Sequence, residues 1–192
     1  MRYRTMPELI AFLPSIDATP RDRGTLALIV RRPEIGERDV LTEAELDQHL
    51  GLVGDNWSRR TSSRTPDGSP HPDTQLNVMS HPMVQFLADD PAREPLAGDQ
   101  LYLDLDLSTA NLPAGSRLVF GDADSPDAVI EVTEQPHTGC AKFIERFGED
   151  AMRFVNGREG RPRRLRGLNA RVVMPGTIRR GSTVTVIRPG QG

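Results

Sequence analysis

The sequence predicts a mainly β protein: a β-barrel of about seven to nine strands, closed or partly closed, with a few short helices at its mouth. Three observations predict it. Short apolar runs of period two recur, as where Leu101, Leu103, Leu105 and Leu107 alternate with Tyr102, Asp104 and Asp106. Turn residues punctuate these runs, with 17 glycines and 16 prolines in 192 residues. Strands and helices do not alternate regularly, as a doubly wound parallel sheet requires.

In chain order, Thr5-x-x-Glu8 with Pro7 in the first turn is a capping box and predicts a short helix through about Leu13. Residues 1–23 are read as this helix and a turn-rich connection, and residues 24–189 as a single domain. Residues 25–30 read as a strand between Gly24 and Pro33. Thr42-x-x-Glu45 predicts a second short helix that stops at Gly51. Gly51-Leu52-Val53-Gly54-Asp55 then makes a tight loop, or an ordinary helix cap and turn. The polar, Ser/Pro-rich segment 59–73, with the lone Trp57 at its edge, is a candidate mobile loop or lid.

Residues 75–80 alternate like a strand, and Ser80-His81-Pro82 starts a helix through Leu87 with serine as its cap. His81 is a candidate ligand there or a plain surface residue. Residues 100–107, 117–120 and 129–133 read as three strands and suggest a meander. Phe143, Ile144 and Phe147 lie at helical spacing closed by Gly148, and Ala151, Met152, Phe154 and Val155 form a second such group. Residues 170–174 and 182–187 are the last two strands, with 175–181 as their connection.

Composition excludes several classes. No run of ~18 apolar residues exists to span a membrane. Residues 9–13 are too short for a secretory core, so the cytoplasm is the default compartment. A net charge of −3 gives no reason to expect nucleic acid. A single cysteine rules out an internal disulfide and a four-cysteine iron–sulfur cluster.

The most chemically loaded stretch is His137-Thr138-Gly139-Cys140-Ala141-Lys142, which holds the only cysteine and the only lysine. Thiolate is the nucleophile and the metal ligand, and flanking cations favour it. Cys140, Lys142 and His137 are therefore the candidate catalytic residues, with Cys140 the candidate metal ligand. The alternative is a cysteine that serves as a small buried hydrophobe. Downstream, Arg158, Arg161, Arg163, Arg164 and Arg166 form a basic run, read as an anion site or as a solvated loop.

The order of these elements resembles the MOSC domain family, named for the C-terminal domain of molybdenum cofactor sulfurases, over roughly residues 24–189. Four stretches carry the resemblance. The first is Gly51-Leu52-Val53-Gly54-Asp55. The second runs from Gly98-Asp99-Gln100-Leu101 to Gly115-Ser116-Arg117-Leu118-Val119-Phe120-Gly121. The third is Val129-Ile130-Glu131-Val132-Thr133 leading to Cys140. The last is Arg166-Gly167-Leu168-Asn169-Ala170-Arg171-Val172-Val173, followed by Gly176, Ile178 and Gly181.

The resemblance implies a β-rich barrel and a cysteine that carries sulfur or coordinates molybdenum in a pterin cofactor; some members reduce N-hydroxylated bases. Two departures stand out. Gly139 precedes the cysteine where most members have proline, and Gly98 stands where several have arginine. The phosphate contact of that arginine is then absent, or supplied by the 158–166 cluster. Molybdenum accepts a soft thiolate. A pterin ring needs paired donors and acceptors, for which Asn77, Gln100 and Asn169 are candidates, with Asp55 and Asp99 as further ones or as loop caps. Arg166 and Arg171 complete the candidate cofactor contacts.

The leading expectation is a molybdenum-cofactor (molybdopterin) oxidoreductase module acting on N-hydroxylated small molecules, with a separate electron-donor protein. A second is a sulfur carrier using a Cys140 persulfide fed by a sulfur-donor protein. A third is a non-enzymatic barrel that binds a ligand or partner. A pyridoxal-phosphate enzyme, with Lys142 as the Schiff-base lysine, is more remote.

Overall fold

The computed structural model describes residues 2–190. In chain order its elements are α1 (Met6–Asp17), β1 (Arg23–Arg31), β2 (Asp39–Leu41), β3 (Glu43–Asp47), β4 (Gly51–Leu52), β5 (Leu76–Ser80) and α2 (His81–Ala88). There follow β6 (Leu101–Asp104), β7 (Arg117–Gly121), β8 (Pro126–Val132), α3 (Ala141–Phe147), α4 (Glu149–Asn156), β9 (Leu168–Met174), β10 (Gly176–Arg179) and β11 (Thr183–Ile187). None of the described helices is long and apolar enough to cross a membrane.

Seven strands close on themselves in the order β1-β6-β5-β9-β8-β7-β11, and β11 pairs back to the start of β1. Among the described strands, only β5 and β6 pair in parallel. β2 adds an eighth strand at the far end of β1, and β10-β3-β4 make a small second sheet. The mainly β barrel with short helices is therefore the architecture present.

Side-chain parity explains how one strand serves two cores. Leu26 and Ile29 point into the barrel, while Leu28 and Val30 pack outside it beneath the helices. Strict alternation cannot do this; a register shift between Leu26 and Leu28, where β1 meets β6, inserts the extra residue. The inner core continues through Leu101, Leu103, Leu118, Phe120 and Ile130. The outer core joins Tyr102 and Met79 on the barrel wall to Leu9 of α1, Met83 of α2, and Phe143, Phe147 and Phe154 of α3 and α4. These helices cover one side of the barrel and carry Cys140 at the start of α3.

Four expectations need correction. The helix read over 42–51 is two strands and a turn. Ala44 and Leu46 are buried while Glu43 and Glu45 are exposed, which is period two, and pairing of β3 with β10 overrides the capping signal. The connection read at 175–181 contains β10, the partner that makes β3 a strand. The meander is only partly present: β7 and β8 pair directly, but β6 pairs with β1 and β5. The first helix does not stop at Leu13 but runs through Pro14 to Asp17, because Ile16 is buried against the outer core. Its capping box forms, with the Thr5 N–H donating to Glu8 Oε2 at 2.8 Å. The segment 59–73 holds two short 3-10 turns at its ends, and Trp57 beside it is buried.

Candidate functional site

Two buried ion pairs brace the barrel mouth, and both use residues at strand ends. Arg32 follows β1, and Asp55 lies in the loop after β4. Arg32 Nε donates to Asp55 Oδ2 and its Nη2 to Oδ1, both at 2.8 Å, and neither side chain is more than 3% exposed. Asp55 Oδ1 also accepts the Trp57 N–H at 3.0 Å, which fixes the turn after it. The second pair joins Asp99, just before β6, to Arg166, just before β9. Arg166 Nη1 donates to Asp99 Oδ2 at 2.7 Å, and His137 Nε2 lies 2.7 Å from Oδ1.

The charges of this second pair are set by their surroundings. Burial alone pushes the Asp99 carboxyl up, but the Arg166 charge and the His137 and Arg166 hydrogen bonds outweigh it and hold it below the usual carboxylate range. Burial pushes His137 down, and the Arg166 charge adds to this against Asp99, so the imidazole stays neutral at pH 7. Neutral His137 then presents Nε2–H to the carboxylate, which fixes its tautomer. Burial likewise raises the Tyr102 phenol, and its oxygen accepts the Asp99 N–H at 3.3 Å.

Hydrogen bonds extend from the first pair across the floor, and one reaches the backbone carbonyl next to Asp99. Arg32 Nη1 donates to Asn77 Oδ1 and to the Gly98 carbonyl, both at 2.9 Å. Asn77 Nδ2 donates to Asn169 Oδ1 at 2.7 Å, and the Asn77 N–H donates to Gln100 Oε1 at 2.7 Å. Above this floor lies a cavity of about 650 Å³. Arg32, Arg38, Arg59, Arg60, Arg146 and Arg166 line it with Lys142, against one acid, Glu34. Cys140, His137 and Thr138 form part of its wall.

Cys140 reaches the cavity from the loop that leaves β8. Its carbonyl accepts the Phe143 N–H at 2.8 Å and so opens α3. Asn156 of α4 clamps the preceding residue, its Oδ1 accepting the Gly139 N–H at 3.0 Å. A proline at 139 has no N–H to give to Asn156. The Cys140 side chain is exposed, so it is not the small buried hydrophobe the bland reading supposed. Cys140→Ala is accordingly expected to change the unfolding free energy by less than about 0.5 kcal/mol. Urea unfolding checks this, and a loss above about 1 kcal/mol would restore a structural role.

The sequence-derived candidates divide sharply by position. Cys140, Lys142, His137, Asn77 and Arg166 all line the cavity. Asp55, Asp99 and Gln100 are buried beneath it and committed to protein partners, so they brace the floor and do not line it. Asn169 faces a smaller adjoining cavity of about 330 Å³. Arg171 is outside both; it is exposed on β9 and bonded to Glu131 Oε1 at 2.7 Å and Asp73 Oδ1 at 3.4 Å. His81 is tied to Glu94, 3.1 Å away. Of the 158–166 arginines, only Arg166 reaches the main cavity; Arg163 pairs with Asp17 and Glu159, and Arg164 donates to the Leu112 carbonyl.

Sequence reasoning missed Arg32, Arg38, Arg59, Arg60 and Arg146. One signal was available: Lys142 and Arg146 are four apart on a helix and so share a face. Among the described residues no group of three or more His, Cys, Asp or Glu side chains could hold a metal ion. A metal at Cys140 must therefore bring its other ligands with it.

No protein-family model matches the chain, and no curated protein matches it. Its fold is similar to solved structures. The crystal structure of the YuaD protein from Bacillus subtilis aligns with a TM-score of 0.62 at 16% identity, covering 85% of this chain and 95% of that one. YiiM from Escherichia coli aligns at 0.53 with 20% identity, covering 86% and 69%. YiiM from Geobacillus stearothermophilus aligns at 0.51 with 13% identity, covering 91% and 77%. At these identities the likeness concerns the fold, and that fold fits the MOSC family.

Proposed function

We propose that the cavity at the barrel mouth binds a molybdenum–pterin cofactor, and that the chain is a small oxidoreductase module acting on N-hydroxylated compounds with a separate electron donor. One observation carries this reading: an exposed thiol, Cys140, opens onto a cavity of about 650 Å³ whose charged lining is six arginines and a lysine against a single acid. The volume suits a small-molecule cofactor. The residues fit the group. Arg38 Nε and Arg166 Nε are buried with no hydrogen-bond partner, so donors are left for phosphate oxygens. Cys140 offers one soft ligand, as a metal already held by a dithiolene needs.

When bound, the cofactor supplies two-electron chemistry at molybdenum. The chain's own residues do the holding. Arg38 and Arg146 would face the anionic end and Cys140 would supply the thiolate, while Asn77, whose amide is already bonded to Arg32 and Asn169, would offer a ring edge its remaining donor and acceptor capacity. His137, neutral and hydrogen-bonded to Asp99, keeps the loop before Cys140 against Arg166.

The test is metal and pterin analysis of protein made in a molybdenum-replete host. About one molybdenum and one pterin per chain are expected, with Cys140→Ala reducing the metal more than the pterin. Absence of both, under conditions that load another pterin-cofactor protein, overturns the reading. Exposure of Cys140 also suits the sulfur-carrier reading. A persulfide trapped on Cys140 by alkylation after treatment with a cysteine desulfurase, in protein without molybdenum, would favour that alternative.

A further inference from the structure

The barrel mouth carries more positive charge than one phosphate ester uses. Arg32, Arg59 and Arg166 are each committed to a carboxylate, on Asp55, Glu34 and Asp99. Arg38, Arg60, Lys142 and Arg146 have no carboxylate partner among the described residues. Arg146 Nη1 donates to the Leu96 carbonyl at 2.6 Å and Arg60 Nε to Asn56 Oδ1 at 2.7 Å. Such neutral acceptors aim a guanidinium without neutralising it.

These charges gather at two places. The first is Gly98: a Cβ built there would lie 3.3 Å from Arg38 Nη2 and 3.4 Å from Arg146 Nη1. Arg32 Nη1 donates to the carbonyl of the same glycine, so three guanidiniums converge on it. The glycine that replaces the expected arginine thus leaves room for two arginines from elsewhere. Desolvation, then the charges of Arg146 and Arg32, pushes Arg38 below the usual guanidinium range.

The second place is the adjoining cavity of about 330 Å³, which shares Arg60, Thr61, Asn77, His137 and Thr138 with the first. Its wall adds Arg64, which has no carboxylate partner among the described residues, and the buried Trp57. Desolvation and the Arg32 charge push Arg60 down to about 10. Asp55 offsets part of this charge but is bonded to Arg32, and like charges brought together and partly desolvated are destabilising until a further anion joins them. A phosphate ester dianion at Gly98 balances Arg38 and Arg146. It leaves Arg60 and Arg64 unbalanced next door.

We propose that Arg60 and Arg64 form a second anion seat, filled by an acidic group on the substrate, so that the substrate class is a small molecule bearing a carboxylate, sulfonate or phosphate. Trp57 offers an apolar wall beside that seat. The assignment to substrate rests on the cofactor reading above; the existence of two seats does not.

Equilibrium dialysis of inorganic phosphate, at fixed ionic strength, tests it on cofactor-free and cofactor-loaded protein. Two phosphates per chain are expected without cofactor and one with it. Arg60→Gln with Arg64→Gln should weaken one seat about tenfold or more and spare the other. Arg38→Gln with Arg146→Gln should do the reverse. Arg64→Gln alone, at an exposed side chain, serves if a double variant fails to fold. One phosphate or none on the cofactor-free chain, or both seats lost together in either variant, overturns the proposal. Two phosphates on a chain that takes up no pterin would instead sink the cofactor reading and leave the two seats standing.

Discussion

Arg166→Ala is expected to lower the unfolding free energy by about 3–5 kcal/mol at pH 8, because it leaves the Asp99 carboxylate buried without its main cation. Asp99 is wholly buried, so water cannot replace the guanidinium. Solvent-excluded charge is costly when a partner is removed, far more than the pair is worth intact. The double variant Asp99→Asn with Arg166→Met should recover much of the loss, since it removes the charge as well as its partner.

The pH dependence sharpens this prediction. In the native chain His137 is held below its ordinary value, so below about pH 6.5 the unfolded chain takes up a proton that the folded one refuses, and stability falls. Asp99 is also held down, so its contribution is present above the ordinary carboxyl range and is lost further as pH falls through it. Removing Arg166 removes a charge that repels a proton from His137. In Arg166→Ala the imidazolium can then form beside Asp99 and take over as its cation. The penalty should therefore be smaller at pH 5.5 than at pH 8, as urea midpoints of both proteins would show. An equal penalty at the two values would mean that His137 does not act as a substitute cation.

Gly167→Ala is expected to cost roughly 2–4 kcal/mol, the sum of backbone strain and a clash that cannot relax. Gly167 has φ +108°, which L side chains rarely adopt, and a Cβ there would lie 2.3 Å from the Val78 carbonyl oxygen of β5 and 3.2 Å from His137 Cδ2. The blocking atom is backbone in the barrel wall. Gly181→Ala separates the two contributions: φ is +89° there, but nothing lies within 4 Å of the added carbon. It should cost only about 1 kcal/mol. Thermal or urea unfolding of the two variants side by side would show the difference. Near-equal losses would mean that strain alone matters and that β5 yields to the methyl group.

The strands were legible where alternation marked them, as at Leu101 and Leu103, whose side chains fill the barrel; β6 nevertheless ends at Asp104, short of the 107 expected, and Tyr102 on its other face is buried in the outer core. They were misread where a local signal competed. Thr42 and Glu45 have the spacing of a helix cap, yet Ala44 and Leu46 need a partner strand to bury them, and that partner is β10, more than a hundred residues on. A capping box concerns four neighbouring residues; strand pairing is settled at long range, and here the long range wins.

The site shows the same division. Local spacing alone brought His137, Cys140 and Lys142 to one stretch, and the order of motifs was enough to predict a barrel. Which polar residues would line the mouth and which would brace it was not in the sequence. Asp55, Asp99 and Gln100 look like ligands as residue types, but closure of the barrel buries them among Arg32, Arg166 and Gln75. Conversely, Arg38, Arg60 and Arg146 are scattered through an arginine-rich chain and share no motif. They become one cationic wall only because β1, the 59–73 segment and α3 end at the same rim. Periodicity reports which side of an element meets apolar surface, and that fixed the barrel. Charge converging from distant segments depends on where those segments meet in space, and only the tertiary structure decided that.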